Sequence, residues 1–439
     1  VTEFETRTPD WLSVEEALRR VLEHAHPTPS ERGPLHDSLR RALAVPLRAR
    51  ATLPPWDNAA MDGYAVRSSD VQGVTRARPA ILEVVGVVHA GGSLPATNVS
   101  AGTALRIMTG APVPPGADSV IRVEDTDAEA KRSGTVAVFL DRDALRNVRP
   151  RGQDMRAGET VLDAGVAMGP GQVAVAAAAG HGWIDTHRPA RVAILSSGDE
   201  LRTLDAWDDV LHGYAIPETN GPTLAASVAA AGSIALPPRV AVDTRESLRQ
   251  HILVSADADV LVTTGGASMG EADLLKRVLD ELNFELVFWR VTLRPGSPVS
   301  FGLLPLPGRN PLPVFGLPGN PASAFVTFEL FVRPFLLALG GHRRIHRPFV
   351  RATAGESMHT TARLTHLYRV LLREEAGSTI ATLTGPQGSG LVQSLGRADG
   401  LAIVPPGPEG VAEGDEIRVM LLNDAPGTSM QAGYAPLPL

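Results

Sequence analysis

The chain reads as a multidomain α/β and β protein, with a central doubly wound α/β domain, an inserted β domain and a C-terminal β-barrel or sandwich. Three observations carry this. Between about residues 190 and 340, short apolar runs alternate with stretches of helical periodicity. Between about 80 and 140, and again after Gly341, β-like runs follow one another with turn residues between them. And 439 residues exceed what one core organises, the length prior being roughly three or four domains.

Taken in order, the first helix is marked by a capping-box pair, Ser13 and Glu16, and by one apolar face of Val14, Ala17, Leu18, Val21 and Leu22. A second helical pattern covers about 37–44. LPPWDNAAMDGY (53–64) is loop chemistry, rich in proline, aspartate and glycine. The runs ILEVVGVV, TALRIMTG, DSVIRVED and TVAVFL then form a small all-β unit. NVRPRGQDMRAGE (147–159) precedes an alanine-rich stretch at 173–179 that suits a helix. The expected division is therefore 1–50 plus 144–185 as one interrupted domain, 51–143 inserted into it, 186–342 as the α/β domain and 343–422 as the last β domain. Residues 423–439 read as a flexible tail.

Within the α/β region, ARVAILSS is a strand, and TNGPTLAASVAAAG is a helix with Asn220 as its expected N-cap and Gly232 past its end. Strand 239–242, helix 246–254, the buried strand around Val260–Val262, helix 273–282 and the extended 286–289 follow. VFGLPGNPASAFVTFELFV passes from strand through loop into helix. In such a fold, ligands bind beyond the C-terminal ends of the strands.

Composition narrows the chemistry. Net charge is −7, which gives no broad basic surface for nucleic acid. Absence of cysteine excludes disulfides, thiolate nucleophiles, zinc fingers and iron–sulfur clusters. No basic-then-apolar leader opens the sequence, and no uninterrupted apolar run approaches the ~20 residues of a membrane span, so a cytoplasmic protein is expected. Of 41 basic residues, only Lys131 and Lys276 are lysine.

Three loops leave strand ends in the α/β region: SSGDEL (196–201), TTGGASMGEAD (263–273) and GLPGNPAS (316–323). Each joins glycine to hydroxyl or carboxylate side chains, and the fold brings all three to one crevice. A strand that enters a helix through such a loop directs backbone N–H groups and the positive helix end at one point, which suits phosphate or another oxyanion. Ser197, Gly265, Gly266, Ser268, Gly270, Pro318, Gly319, Asn320, Pro321 and Ser323 are the expected binding positions. Glu200, Asp243 and Asp273 supply oxygen ligands of the kind Mg2+ takes. Asp273 is equally placed to cap the helix it precedes. Arg290 and Arg294, four apart in a strand-like run, share a face if that strand is regular, and arginine forks suit oxyanions as well as structural ion pairs. Neither a dinucleotide nor a P-loop fingerprint occurs.

Together PPWDNAAMDGYAV, ALRIMTGAPVPPGADSVIRVED, NVRPRGQDMRAGE, ILSSGDEL, TTGGASMGEADLLK, FWRVTLRPGSPVSFG and VFGLPGNPASAFVTFELFVRP resemble the MoeA family, the molybdopterin molybdenumtransferases related to the gephyrin E domain. The resemblance runs from about residue 10 to 420. It implies an elongated homodimer whose α/β domain is of the molybdopterin-binding type and whose last domain is a β-barrel. The implied reaction inserts molybdenum from molybdate into adenylylated molybdopterin and releases AMP, with Mg2+ as cofactor. The family's acidic positions fall on Asp57, Asp154, Glu200, Asp243 and Asp273. Thr109 and Arg149 match functional positions in the cleft opposite, contributed by the other subunit. The adenylyltransferase of the preceding step and the enzymes that receive the cofactor are implied partners; nucleic acid and membrane are not. An adenylyltransferase resembling 190–340 alone, or a pterin-binding scaffold without turnover, is the rival reading.

Where many members carry lysine, this chain has Arg290, Arg294 and Ser297, in keeping with its general exchange of lysine for arginine. Lys276, one of the two retained, lies three residues after Asp273 on the first helical turn. It reads either as a phosphate or molybdate contact or as an ordinary surface lysine.

Overall fold

The computed structural model describes residues 11–91, 96–131, 133–265, 274–361, 363–375, 377–407 and 409–422. The Ser13 hydroxyl accepts a hydrogen bond from the Glu16 amide at 3.1 Å, and helix Val14–Leu22 follows from that cap. Its buried Ala17 and Val21 pack into the core of the central domain, and Leu12 bridges to Val291. The helix expected at 37–44 is absent. A short 3-10 turn at Leu35–Asp37 ends where Arg40 takes a φ of +66°, and Ala42 and Leu43 then form isolated bridges to Ala167 and Thr186. A left-handed residue cannot sit inside a helix, so the apolar spacing there serves a bridged loop.

Chain segments before and after the inserted unit pair with each other. Ser30–Pro34 runs antiparallel to Trp183–His187, Leu47–Arg48 to Thr160–Leu162, and Asn58–Ala59 to Val148–Arg149. Between them lies a five-stranded sheet in the order Ser119–Arg122, Gly63–Val66, Thr103–Ile107, Ala80–Val88, Thr135–Val138. Gly63–Val66 belongs to what reads as a loop in sequence. Four fully buried residues are too few to show a period, and a Cβ on Gly63 would lie 1.9 Å from the Ile121 carbonyl oxygen.

The central sheet is seven-stranded and mixed. Arg191–Ser197, Val260–Thr264 and Leu312–Leu317 are parallel neighbours, while Ser300–Leu304 and Glu285–Trp289 extend the sheet antiparallel. Alternate residues face opposite sides. Val192, Ile194, Val260 and Val262 join a core with Leu224 and Val228 of helix Asn220–Ala230; Ala193, Leu195 and Leu261 join one with Leu248, Ile252, Leu275 and Val278 of helices Arg245–Val254 and Leu274–Glu281. That two-sided cover is the doubly wound arrangement the alternating pattern predicts. Phe349–Ala354, Thr365–Glu375, Ser378–Leu383, Gly400–Val404 and Glu416–Leu421 close into a barrel through the pairing of Thr365–Glu375 with Gly400–Val404. Leu293–Arg294 from the α/β region adds a strand to its wall. The loop 266–273, including Gly266, Ser268, Gly270 and Asp273, and the terminal stretch read as a tail lie outside the described residues.

Residues 321–339 run helically as Pro321–Thr327, a π turn at Phe328–Val332, and Arg333–Leu339. By length and composition this segment is apolar enough to cross a membrane, yet 78% of it is buried inside the protein. Phe331 packs against Phe288, and Phe335 against Phe301 and Phe315. Glu329 accepts hydrogen bonds from Arg347 at 2.8 and 3.2 Å, both side chains buried, and so ties this helix to the segment entering the barrel. Arg333 also faces Glu329, at 3.8 Å, so removing this carboxylate takes a shared counter-charge from two largely buried arginines. Glu329→Ala is expected to cost about 3 kcal/mol of stability, read as a lower urea midpoint; an unchanged midpoint would mean that Arg347 finds water.

Candidate active site

Two of the three sequence-predicted loops meet a third through their backbones. Gly265 leaves its strand with a φ of +92°, where a Cβ would lie 2.3 Å from the Ser197 carbonyl oxygen. A Cβ on Gly319 would lie 3.5 Å from the Gly265 Cα, so the three chains cross in contact. No other residue type fits at Gly265 without parting them. The crossing forms the floor of a cavity of about 550 Å3 that Ser197, Glu200, Asn220 and Pro321 also line.

Beneath this cavity lies a polar network not legible in the sequence. Buried Glu218 accepts from the Ser196 hydroxyl at 2.9 Å and from the Gly221 amide at 2.7 Å, and the Thr264 hydroxyl donates to Ser196 at 3.0 Å. Asn220 is not the N-cap: Thr219 holds that position, Asn220 is the first helical residue, and its side-chain amide donates instead to the Gly319 carbonyl at 2.7 Å and so fixes the 318–321 loop. Across that loop Asn320 donates to the Ser389 hydroxyl at 3.1 Å, and the Ala322 amide to the Ser389 carbonyl at 2.9 Å. The α/β domain is thereby clamped to the barrel.

Glu200 lines the cavity, and Asp199 and Asp243 lie near enough to it to interact. The Glu200 carboxylate folds back under Gly198, where a Cβ would meet it at 2.7 Å. The Asp243 amide donates to Asp199 at 3.0 Å. Partial desolvation pushes the Asp243 carboxyl above the usual carboxylate range, and repulsion from Asp199 and Glu200 adds to it. Asp199 went unmarked in the sequence, although it shares the GDE turn with Glu200. Glu200 and Asp243 thus lie close enough to interact, but no group of three His, Asp or Glu side chains poised around a metal occurs among the described residues.

A larger cavity, about 810 Å3, opens on the other side of the 318–321 loop, between it and the barrel. Arg294, Ser323, His366, Tyr368 and Ser389 line it, and Asn320 faces both spaces. Behind the 387–389 wall, Arg369 is fully buried: one guanidinium nitrogen donates to the Gly388 carbonyl at 3.2 Å, while Nε and Nη1 have no partner. Desolvation lowers its pKa.

Arg290 and Arg294 do not share a face. Arg290 turns the chain with a φ of +96° at the end of Glu285–Trp289, so the run is not one regular strand. Its guanidinium lies 4.0 Å from the centroid of the Trp289 ring and 5.6 Å from that of Trp11. The Lys276 ammonium lies 4.1 Å from the same Trp289 centroid, and neither Lys276 nor Arg290 lines either cavity.

The remaining predicted positions form a separate group. Asp57 accepts from the Arg151 amide at 2.7 Å, and the Thr109 amide and hydroxyl both donate to Asp62 at 2.7 Å. These bonds hold Asp62, itself unmarked in the sequence, below the usual carboxylate range. Arg149 pairs with Asn58, exposed Asp154 donates its amide to the Leu53 carbonyl, and none of Asp57, Thr109, Arg149 and Asp154 lines either cavity of this chain.

Residues 12–180 match the family model of the MoeA N-terminal region (domain I and II), 193–338 that of a probable molybdopterin binding domain, and 351–422 that of the MoeA C-terminal region (domain IV). A molybdopterin molybdenumtransferase from a Nostoc species is 33% identical over 386 residues, covering 87% of this chain and 86% of the relative. One from Bacillus subtilis is 30% identical over 428 residues, with 97% of each chain covered. Two crystal structures of molybdopterin biosynthesis MoeA protein from Pyrococcus horikoshii superpose with TM-scores of 0.79 and 0.74, at 25% and 31% identity. Each covers 94% of this chain, and the match spans 100% and 99% of theirs.

Because Asp243 is held above its ordinary value, its repulsion with Asp199 and Glu200 is absent well below the ordinary carboxylate value of about 3.9 and grows as pH rises through the raised value. Asp243→Asn is expected to raise the thermal midpoint by on the order of 1–2 °C above neutral pH, a gain that shrinks as pH falls toward the ordinary carboxylate value of about 3.9. Scanning fluorimetry across pH reads this directly, and a midpoint equal to wild type at pH 8 refutes the repulsion.

Proposed function

The chain belongs to the MoeA family, and from that premise we propose that it inserts molybdenum from molybdate into adenylylated molybdopterin, with hydrolysis of the adenylate and release of AMP. Membership places it in molybdenum cofactor biosynthesis, as an enzyme of the molybdopterin molybdenumtransferase type. One observation supports the detailed reaction best: residues 318–321 wall both cavities, with carboxylates edging one and arginine lining the other. The acid-edged space suits the nucleotide end of the substrate, and the cationic space suits molybdate, a tetrahedral dianion. The loop between them is where a dithiolene would meet both.

In this reading Ser197, Gly265, Gly319 and Pro321, with Gly266, Ser268 and Gly270, cradle the adenylylated pterin. Lys276 and Arg290 add positive charge at the Trp289 edge, and Arg294, Pro318, Asn320 and Ser323 receive the oxyanion. Glu200 and Asp243, with Asp273, are the residues that would hold Mg2+; their all-oxygen donor set and the raised Asp243 carboxyl fit a divalent cation. Bound there, the cation supplies charge neutralisation to the phosphoanhydride. Water adds to the adenylate phosphorus and the phosphate–phosphate bridge breaks, releasing AMP and leaving the molybdopterin phosphate. Donors on the loops steady the charge that develops. Sulfur ligands for molybdenum come from the pterin, so the absence of cysteine is no obstacle. Asp57, Thr109, Arg149 and Asp154 act on the cleft of the second subunit in a homodimer.

The test incubates purified protein with adenylylated molybdopterin, molybdate and Mg2+, and quantifies AMP and metallated pterin by chromatography. Both products are expected in equal amounts, Glu200→Ala and Asp243→Asn each lowering the rate by about 10²-fold. Mg2+ alone is expected to raise the thermal midpoint of wild type but not of Asp243→Asn. Folded protein that yields neither product overturns the proposal.

A further inference from the structure

We infer that His366 takes up the proton that accompanies oxyanion binding in the larger cavity, acting on the anion through its charge and through the Thr361 hydroxyl, so that the anion enters this site together with one proton. The inference rests on the reading of that cavity as an oxyanion site.

The placement of His366 comes from strand pairing. Leu293–Arg294 runs parallel to Thr365–Glu375 with Arg294 opposite His366, and both side chains line the cavity. The imidazole is 6% exposed and held at both nitrogens. Nδ1 lies 3.2 Å from the Tyr368 hydroxyl and Nε2 3.2 Å from the Thr361 hydroxyl. Tyr368 has a single hydrogen and donates it to the His359 carbonyl. Its oxygen therefore accepts from Nδ1–H, and the neutral ring turns a lone pair at Nε2 to the Thr361 hydroxyl hydrogen.

This network has a second arrangement. When Nε2 gains a proton it donates to the Thr361 oxygen, whose own hydrogen is then free to turn into the cavity. Protonation so adds a positive charge and redirects one hydroxyl donor, both favourable to an anion. Thr361 makes the exchange possible because its hydroxyl is a rotor.

The charges around the ring set the resting state. Arg294 faces it from the adjoining strand, Tyr368 from its own strand, and His359 from the segment that carries Thr361; Ser323 and Gln387 face the cavity from the helix and the 387–389 loop. Arg369 lies buried behind that loop. No carboxylate occurs among the described lining residues. Burial and the Arg294 charge both hold His366 below the usual imidazole value, so the ring is neutral while the cavity is empty of charge. A dianion beside Arg294 reverses that field. Arg294 and protonated His366 then match its two charges, a task Arg294 alone leaves half done.

By linkage, an anion that raises the His366 pKa must bind more tightly as pH falls. The probe is sodium molybdate, titrated calorimetrically into the whole protein between about pH 6.5 and 8.5 in two buffers of different ionisation enthalpy. Wild type is expected to take up close to one proton per molybdate bound, with affinity falling up to about tenfold per pH unit. His366→Gln keeps polar atoms in the wall and is expected to bind molybdate with neither proton uptake nor pH slope; His359→Gln is expected to keep both. Histidine NMR signals followed on titration identify the ring that gains the proton. Proton uptake that survives in His366→Gln, or molybdate binding to wild type without proton uptake, overturns the inference and leaves the oxyanion site standing. Molybdate that fails to bind at any pH, or binds unchanged in Arg294→Ala, removes the cavity's role and the inference with it.

Discussion

Gly265 and Ser197 approach each other more closely than a side chain permits, Gly319 lies beside them, and the site is organised by that contact. Gly265 leaves its strand with a left-handed backbone, at a point where a Cβ would strike the Ser197 carbonyl, so only glycine fits there. Gly319 then rests on Gly265, and Asn220 holds it there from the far side through the Gly319 carbonyl. Three loops from neighbouring parallel strands are thus one surface. Whatever binds above it meets main chain rather than side chain, so position is set by the sheet.

The 318–321 loop that this contact fixes also separates charge. On one side lie Asp199, Glu200 and Asp243, where partial desolvation first, and repulsion from the other two second, make Asp243 resist ionisation. On the other lie Arg294 and, behind a wall of main chain, a fully buried Arg369 with two unpartnered nitrogens. A desolvated guanidinium with two unpartnered nitrogens is costly, and Arg369 is held in that state with one hydrogen bond to the Gly388 carbonyl. The two cavities therefore differ in the sign of charge they favour, within one continuous wall.

Much of the fold is legible in the sequence because its signals are periodic. The Ser13–Glu16 cap, the alternation of strands and helices from Arg191 to Leu317 and the strands of the barrel all appear where the pattern puts them. Failures occur where periodicity is short or misleading. Gly63–Val66 is too brief to show a period, and 37–44 carries helical spacing that a left-handed Arg40 interrupts. At the site, loop glycines and carboxylates were visible as residue types. Glu218, Asp199 and the Asn320–Ser389 clamp were not, since each gains its meaning from a partner distant in the chain or from burial alone. The separation of Arg290 from Arg294 follows from one backbone angle that no spacing rule contains.

The π turn at Phe328–Val332 accommodates one residue more than an α turn, and so shifts the angular phase of everything after it by about 100°. Upstream, that phase is dictated by the cavity: Thr327 packs against Gly296, and the Ala322 amide is bound to Ser389. Downstream, it is dictated by the core, where Phe335 meets Phe301 and Phe315 and the Leu339 carbonyl accepts from Thr28. A regular helix would satisfy one set and rotate the other out of place. The irregular turn is a phase corrector between the cavity loop and the core, and a chain shortened by a single residue there would have to surrender one of the two alignments.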